Sequence, residues 1–241
     1  PIKAVIVEPR QQWLYVINGR ATARDMYGND GWVAHHNMDI WRHAEPIDKC
    51  NCSFWPMAAG WLTSHLWERY LFSGDLFFLR NEVFPLLKGA TLFYNDWLFK
   101  NKSGKWVTPV GHSPEHDFIY DGNKRATFSQ GPTMDMAIIR ETLDRYLQAC
   151  RVLKIADDIE VKDKLNDLLP YQIGQFGQLL RAFGGHAPDL QFVQAGEFGL
   201  DAFPPDFGRM VEAIQQHLIG LLAGFHDRLV FGLAHFNPHA G

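Results

Sequence analysis

Residues 55–97 read WPMAAGWLTSHLWERYLFSGDLFFLRNEVFPLLKGATLFYNDW, and the apolar positions in this stretch repeat at helical spacing. Trp61, Leu62, His65, Leu66, Tyr70 and Leu71 fall three and four residues apart, as do Leu76, Leu79, Val83, Leu86, Leu87 and Phe93. The pattern predicts two helices, over Trp55–Ser73 and Asp75–Trp97, meeting at Ser73-Gly74-Asp75. There the glycine closes the first helix and the aspartate caps the second. Trp61, Leu66, Trp67 and Leu71 are read as core.

The same periodicity recurs outward from this centre. A helix is expected over Pro132–Leu153, with Met136, Ile139, Leu143, Tyr146, Leu147 and Cys150 on one stripe and Pro132 in a first-turn position. A shorter one is expected over Asp158–Leu169. An amphipathic helix over Val211–Leu229 carries Ile214, Leu218, Leu221, Leu222 and Phe225. The chain has 241 residues, 46% hydrophobic and 21% charged, which suits a globular core. A formal net charge of -4 offers no basic excess for phosphates, so no nucleic-acid partner is expected. No stretch approaches the roughly 18 to 20 apolar residues that span a bilayer, and a soluble chain without a membrane partner is expected. Three cysteines, Cys50, Cys52 and Cys150, are too few for a disulfide framework and fit no zinc spacing. Pro1 opens the chain with neither an initiator Met nor a signal peptide, which leaves the compartment unread.

Two segments concentrate polar chemistry. Asn101–Gly131 is a long connector rich in Gly, Pro, Ser, His and Asp, and connectors of this length are often functional. At its centre stands Glu115, beside Pro114 and between His112 and His116. Gly31–Arg42 surrounds His35, His36, Asn37 and Asp39 with Trp32 and Trp41. Sugars present hydroxyls at their edges and C–H patches on their faces, so a sugar pocket needs fixed polar groups beside an aromatic platform. Metal binding by His35 and His36 is the competing reading. Adjacent side chains diverge on a strand and lie about 100° apart on a helix, which disfavours it.

Taken in order, these motifs resemble the helical catalytic core of glycoside hydrolase family 95, the α-L-fucosidase and α-L-galactosidase type. They are Gly31–Arg42, Trp55-Pro56, His65-Leu66-Trp67-Glu68, Gly74-Asp75, Pro85–Ala90, Ser113-Pro114-Glu115, Gly131–Asp135, Ile139-Arg140 and Leu169–Gly174 continuing to Leu179. The resemblance covers about residues 20–180. It implies an all-α fold, (α/α)6-toroid-like and incomplete, since about six to eight helices fit in this length and a full ring needs twelve. Residues 1–182 are then a partial catalytic core and residues 183–241 a divergent helical tail of the same domain.

The resemblance further implies hydrolysis of terminal α-L-fucosyl or α-L-galactosyl linkages of an oligosaccharide, with inversion. Glu115 takes the place of the general acid, with His112 or His116 to tune it, and both histidines are expected among the substrate-binding residues. His36, Asn37 and Asp39 are expected to hold sugar hydroxyls, with Trp32 or Trp41 as platform. His35, Asp117 and Asp135 are lesser candidates, Asp135 as a cap or pairing residue of its helix. No metal and no cofactor is required, because an acid and an activated water suffice. The family's base is an Asn activated by an Asp, each in a flanking motif that this chain does not contain. After Gln178 the family pattern also stops. Three readings follow: an excised portion of a larger enzyme, an inactive sugar-binding relative, or a helical scaffold. An open toroid edge would favour self-association. A chain that follows the family would be secreted or periplasmic.

Overall fold

A computed structural model of the chain describes residues 9–37, 39, 41–112, 117–120 and 123–171. All of them fall in one compact unit, Pro1–Ala202. In chain order the helices are α1 (Pro9–Thr22), α2 (Cys50–Ser53), α3 (Ala58–Ser73), α4 (Leu76–Phe78), α5 (Phe84–Trp97), α6 (Thr133–Leu153) and α7 (Ile159–Asn166). Wide π-helical turns follow α1, over Ala23–Tyr27, and join α4 to α5, over Leu79–Val83. The second has a plain cause. Pro85, in the first turn of α5, has no N–H and its ring crowds the carbonyl four residues back, so the chain widens by one residue to pass it. The described part is mostly helical, in keeping with a portion of a helical toroid.

The helix ends follow the expected chemistry. Gly74 closes α3 with φ 64°, and its N–H donates to the Tyr70 carbonyl. The Asp75 carboxylate accepts from the Phe78 amide at 3.0 Å and starts α4. Asp158 does the same for α7 through the Val161 amide at 3.2 Å. Pro132 stands one residue ahead of α6, at its N-cap, with extended ψ of 143°.

Helices α3, α5 and α6 pack together. Leu86, Leu87 and Phe93 of α5 and the predicted α6 stripe, Met136 to Cys150, are buried where these helices pack. Leu79 and Val83 of the preceding π turn are buried too, whereas Leu76 at the head of the expected stripe is exposed. Each fully buried side chain of this size contributes about 1.5 to 3 kcal/mol. The Tyr94 hydroxyl ties α5 to the start of α3, donating to the Met57 carbonyl at 3.0 Å and accepting from the Gly60 amide at 2.9 Å. Along α3 the expected core splits. Leu66 and Trp67 are buried, whereas Trp61 and Leu71 are exposed, because α3 turns those positions away from α5 and α6.

The long connector carries more regular structure than its composition foretells. Among the described residues three antiparallel pairs form: β1 (Phe99–Lys100) with β2 (Trp106–Val107), β3 (Gly111–His112) with β6 (Phe128–Ser129), and β4 (Phe118–Tyr120) with β5 (Lys124–Ala126). The β3–β6 ladder aligns Gly111 with Ser129 and His112 with Phe128. No described helix is long and apolar enough to cross a membrane. The expected helix at Val211–Leu229 and the proposed tail lie outside the described residues, as do Glu115 and His116.

Candidate active site

The polar run at 31–44 is threaded between α1 and α5. Its backbone is fixed at both sides: the Val33 amide donates to the Gly19 carbonyl at 3.1 Å and the Trp32 amide to the Gly89 carbonyl at 3.2 Å. Glycine is required at these crossings. A Cβ on Gly89 would lie 2.6 Å from Trp32 Cδ1, and one on Gly19 would lie 2.4 Å from the Val33 oxygen. Trp32 is therefore a packing residue, 1% exposed, with its indole N–H donating to the Leu86 carbonyl at 2.8 Å. A buried ring offers no face to a sugar, and of the pair only Trp41, 66% exposed, presents its ring to solvent.

His35 is also spent on structure. Its Nδ1–H donates to the Ala44 carbonyl at 2.6 Å, which leaves Nε2 to accept from the Tyr27 hydroxyl at 2.5 Å. Burial pushes the imidazole down to about 4, against the upward pull of the Ala44 carbonyl, so the ring is neutral near pH 7. With both nitrogens occupied, His35 has no lone pair to give a metal. Among the described residues no group of three or more His, Cys, Asp or Glu side chains is placed to hold a metal ion.

His36, Asn37 and Asp39 are half-buried at the open side of this run. His36 Nδ1 is shielded from water and has no hydrogen-bond partner among the described residues. An unpartnered nitrogen of that kind is costly unless something fills its valence, and a sugar hydroxyl can. Asp39 organises the loop. Its carboxylate accepts from the Trp41 and His43 amides, both at 3.0 Å, and from His43 Nδ1 at 2.6 Å. Desolvation works to raise this carboxyl, but the His43 amide and ring together with the Trp41 amide outweigh it and hold it below its usual value. It is thus an ionised acceptor that fixes Trp41 in place. His43, which the sequence pattern did not single out, is its partner.

The second polar segment reaches the first through aromatic rings. His35 lies 6.2 Å from Phe54, Phe54 lies 6.0 Å from Phe128, and Phe128 meets the His112 ring edge-on at 5.5 Å. Strand β3, with His112 fully buried in it, is thereby linked to the 31–44 run through two intervening rings although about 75 residues separate them in sequence. Just past β6, Gln130 Nε2 is buried without a partner among the described residues, a donor that nothing in the sequence signalled. Asp117 stands apart on the surface, its carboxylate accepting from the Thr127 hydroxyl at 2.7 Å.

Asp135 differs from its sequence reading. It makes no cap, and instead its fully buried carboxyl accepts from the Trp55 indole at 3.1 Å. Burial drives its pKa well above the ordinary carboxylate value, with the Trp55 bond opposing only in part.

A sequence model described as the glycosyl hydrolase family 95 catalytic domain matches residues 10–181. The chain is 42% identical over 143 residues, 59% of its length, to alpha-L-fucosidase 2 of Arabidopsis thaliana. It is 30% identical over 181 residues to a probable alpha-fucosidase A of Aspergillus niger, covering 69% of this chain. The matches take in 17% and 22% of those two proteins, so the chain spans less than a quarter of the length of either relative.

Proposed function

The chain belongs to glycoside hydrolase family 95, and from that premise we propose that it forms part of a pocket for terminal α-L-fucosyl, or closely similar α-L-galactosyl, residues of oligosaccharides. The observation that supports this reading is the relay of ring contacts from His35 through Phe54 and Phe128 to His112, which ties the two polar segments to one shared aromatic cluster. In this reading Trp41 supplies the apolar platform. His36 and Asn37 meet sugar hydroxyls, and Asp39 holds Trp41 while offering its remaining acceptor capacity.

Glu115 is the proton donor to the leaving oxygen. It lies three residues after β3 in sequence, and the role calls for an acid that stays protonated until the leaving oxygen takes the proton. His112 stands three residues before the acid and His116 next to it in sequence. Inversion requires a base roughly 6.5 to 9.5 Å away, so that water fits on the far face of the ring. The base motif of the family is not in this chain, so turnover by these 241 residues would need a partner segment or a replacement base. Residues 1–182 form the partial core in this proposal, and residues 183–241 extend it as a divergent helical tail.

The test is release of free fucose from 2'-fucosyllactose by the purified chain and its Glu115→Gln variant. Release lost in the variant supports a working acid. Saturable binding without release in either protein supports a sugar-binding portion. Neither binding nor release overturns the pocket.

A further inference from the structure

A carboxyl fully buried in the first turn of α6 calls for a reason. Asp135 Oδ1 accepts from Trp55 Nε1 at 3.1 Å, while Oδ2 is buried and has no hydrogen-bond partner among the described residues. Strand β3 is seated directly on that second oxygen. A Cβ on Gly111 would fall 1.9 Å from Oδ2, 3.0 Å from Cγ and 3.0 Å from Pro132 Cδ, so only glycine lets the strand lie this close. Along one edge β3 is held by the ladder to β6, with His112 against Phe128. The position of β3 is therefore fixed by the Asp135 carboxyl on the Gly111 side-chain face and by β6 along its edge.

We propose that Asp135 is a positioning residue for the acid-bearing segment: its carboxyl, pinned by the Trp55 indole, sets the seat of Gly111 and His112 and so where β3 hands the chain on to Ser113-Pro114-Glu115. The proposal rests on the reading of Glu115 as proton donor. The choice of residue follows from the site. A neutral carboxylic acid supplies an acceptor for the indole and a flat group thin enough to fit under Gly111. Burial keeps it in that neutral form. Leucine branches at the same carbon but is bulkier and has no acceptor, and alanine leaves the strand without its support. Asparagine keeps both the acceptor and the shape.

The experiment is a carbon-13 titration of glutamate carboxyls in the full chain, with the Glu115 signal assigned by its loss in Glu115→Gln. Circular dichroism verifies that each variant is folded. In the unsubstituted chain the Glu115 midpoint is expected above the free value of about 4.3. Asp135→Asn should hold that midpoint within about 0.3 pH unit, a change too small to report a lost environment. Asp135→Leu and Gly111→Ala should each move it by about one unit toward the free value. Gly111→Ala combined with Asp135→Ala should recover part of that shift, because the new methyl fills the space the carboxyl leaves. An unchanged midpoint in folded Asp135→Leu and Gly111→Ala would overturn the positioning role. A midpoint already at the free value in the unsubstituted chain would instead remove Glu115 as acid. The His112 and Phe128 ring signals then decide the positioning alone: displaced in Asp135→Leu but not in Asp135→Asn they support it, and unmoved in both they overturn it.

Discussion

Gly89→Ala sets two effects of opposite sign against each other. Gly89 lies inside α5, where helix propensity alone favours alanine by about 1 kcal/mol. The structure predicts the reverse. The added methyl carbon would sit 2.6 Å from Cδ1 and 3.2 Å from Nε1 of Trp32, whose ring is fully buried and has no room to swing. Overpacking of this kind costs about 1 to 3 kcal/mol. If the ring is displaced, the bond from Trp32 Nε1 to the Leu86 carbonyl, 2.8 Å long, is weakened as well, for about 1 kcal/mol more. The net is a loss of about 1 to 3 kcal/mol, or a melting temperature lower by about 3 to 10 °C for a chain of this size. Thermal unfolding followed by circular dichroism and by tryptophan fluorescence reads both the stability and the Trp32 environment. A melting temperature raised by a few degrees, as propensity alone would give, would refute the packing of the 31–44 run against α5.

Other consequences are equally direct. The His35 imidazole has an ordinary value of 6.5 when unfolded and is held near 4 in the fold. Its contribution to stability is therefore present above pH 6.5 and lost as pH falls toward 4, by about 1.4 kcal/mol per unit and roughly 3 kcal/mol in all. Urea midpoints across that range should fall more steeply for the parent than for His35→Gln, and parallel curves would count against a buried neutral ring. Asp135 has the opposite sign for a carboxyl: its raised pKa gives stability that is complete below 3.8 and is lost as pH rises toward the native value. Asp135→Asn escapes that loss, so its stability relative to the parent should grow above pH 3.8 by up to about 1.4 kcal/mol per unit, and a pH-independent difference would contradict the assignment. Trp41→Ala removes an exposed ring, so melting should change by less than about 0.5 kcal/mol, while calorimetric affinity for fucose should drop about 5- to 30-fold. An unchanged affinity would exclude Trp41 as the platform.

The helical frame was legible wherever the deciding interaction is local. Gly74, Asp75 and Asp158 act on residues within one turn of themselves, and the stripes of α5 and α6 face the core as their spacing indicates. What sequence spacing missed depends on contacts far along the chain. Asp135 looks like a first-turn cap, but Trp55, 80 residues away, takes its carboxyl. Trp32 and Trp41 look alike in composition, yet only the approach of Gly89 and Gly19 decides that the first is buried. Strands β1 to β6 have two or three residues each, too few to express an alternating pattern. His36 remains a ligand candidate on both readings, because its shielded Nδ1 has no partner among the described residues, whereas both ring nitrogens of His35 are taken.

The most direct test of the central claim is isothermal titration of the purified chain with L-fucose, repeated with Trp41→Ala. Saturable one-site binding to the parent is expected, with a weakened or absent signal in the variant. No binding to a folded parent chain, or equal binding to both, would contradict a fucose pocket built on the 31–44 run.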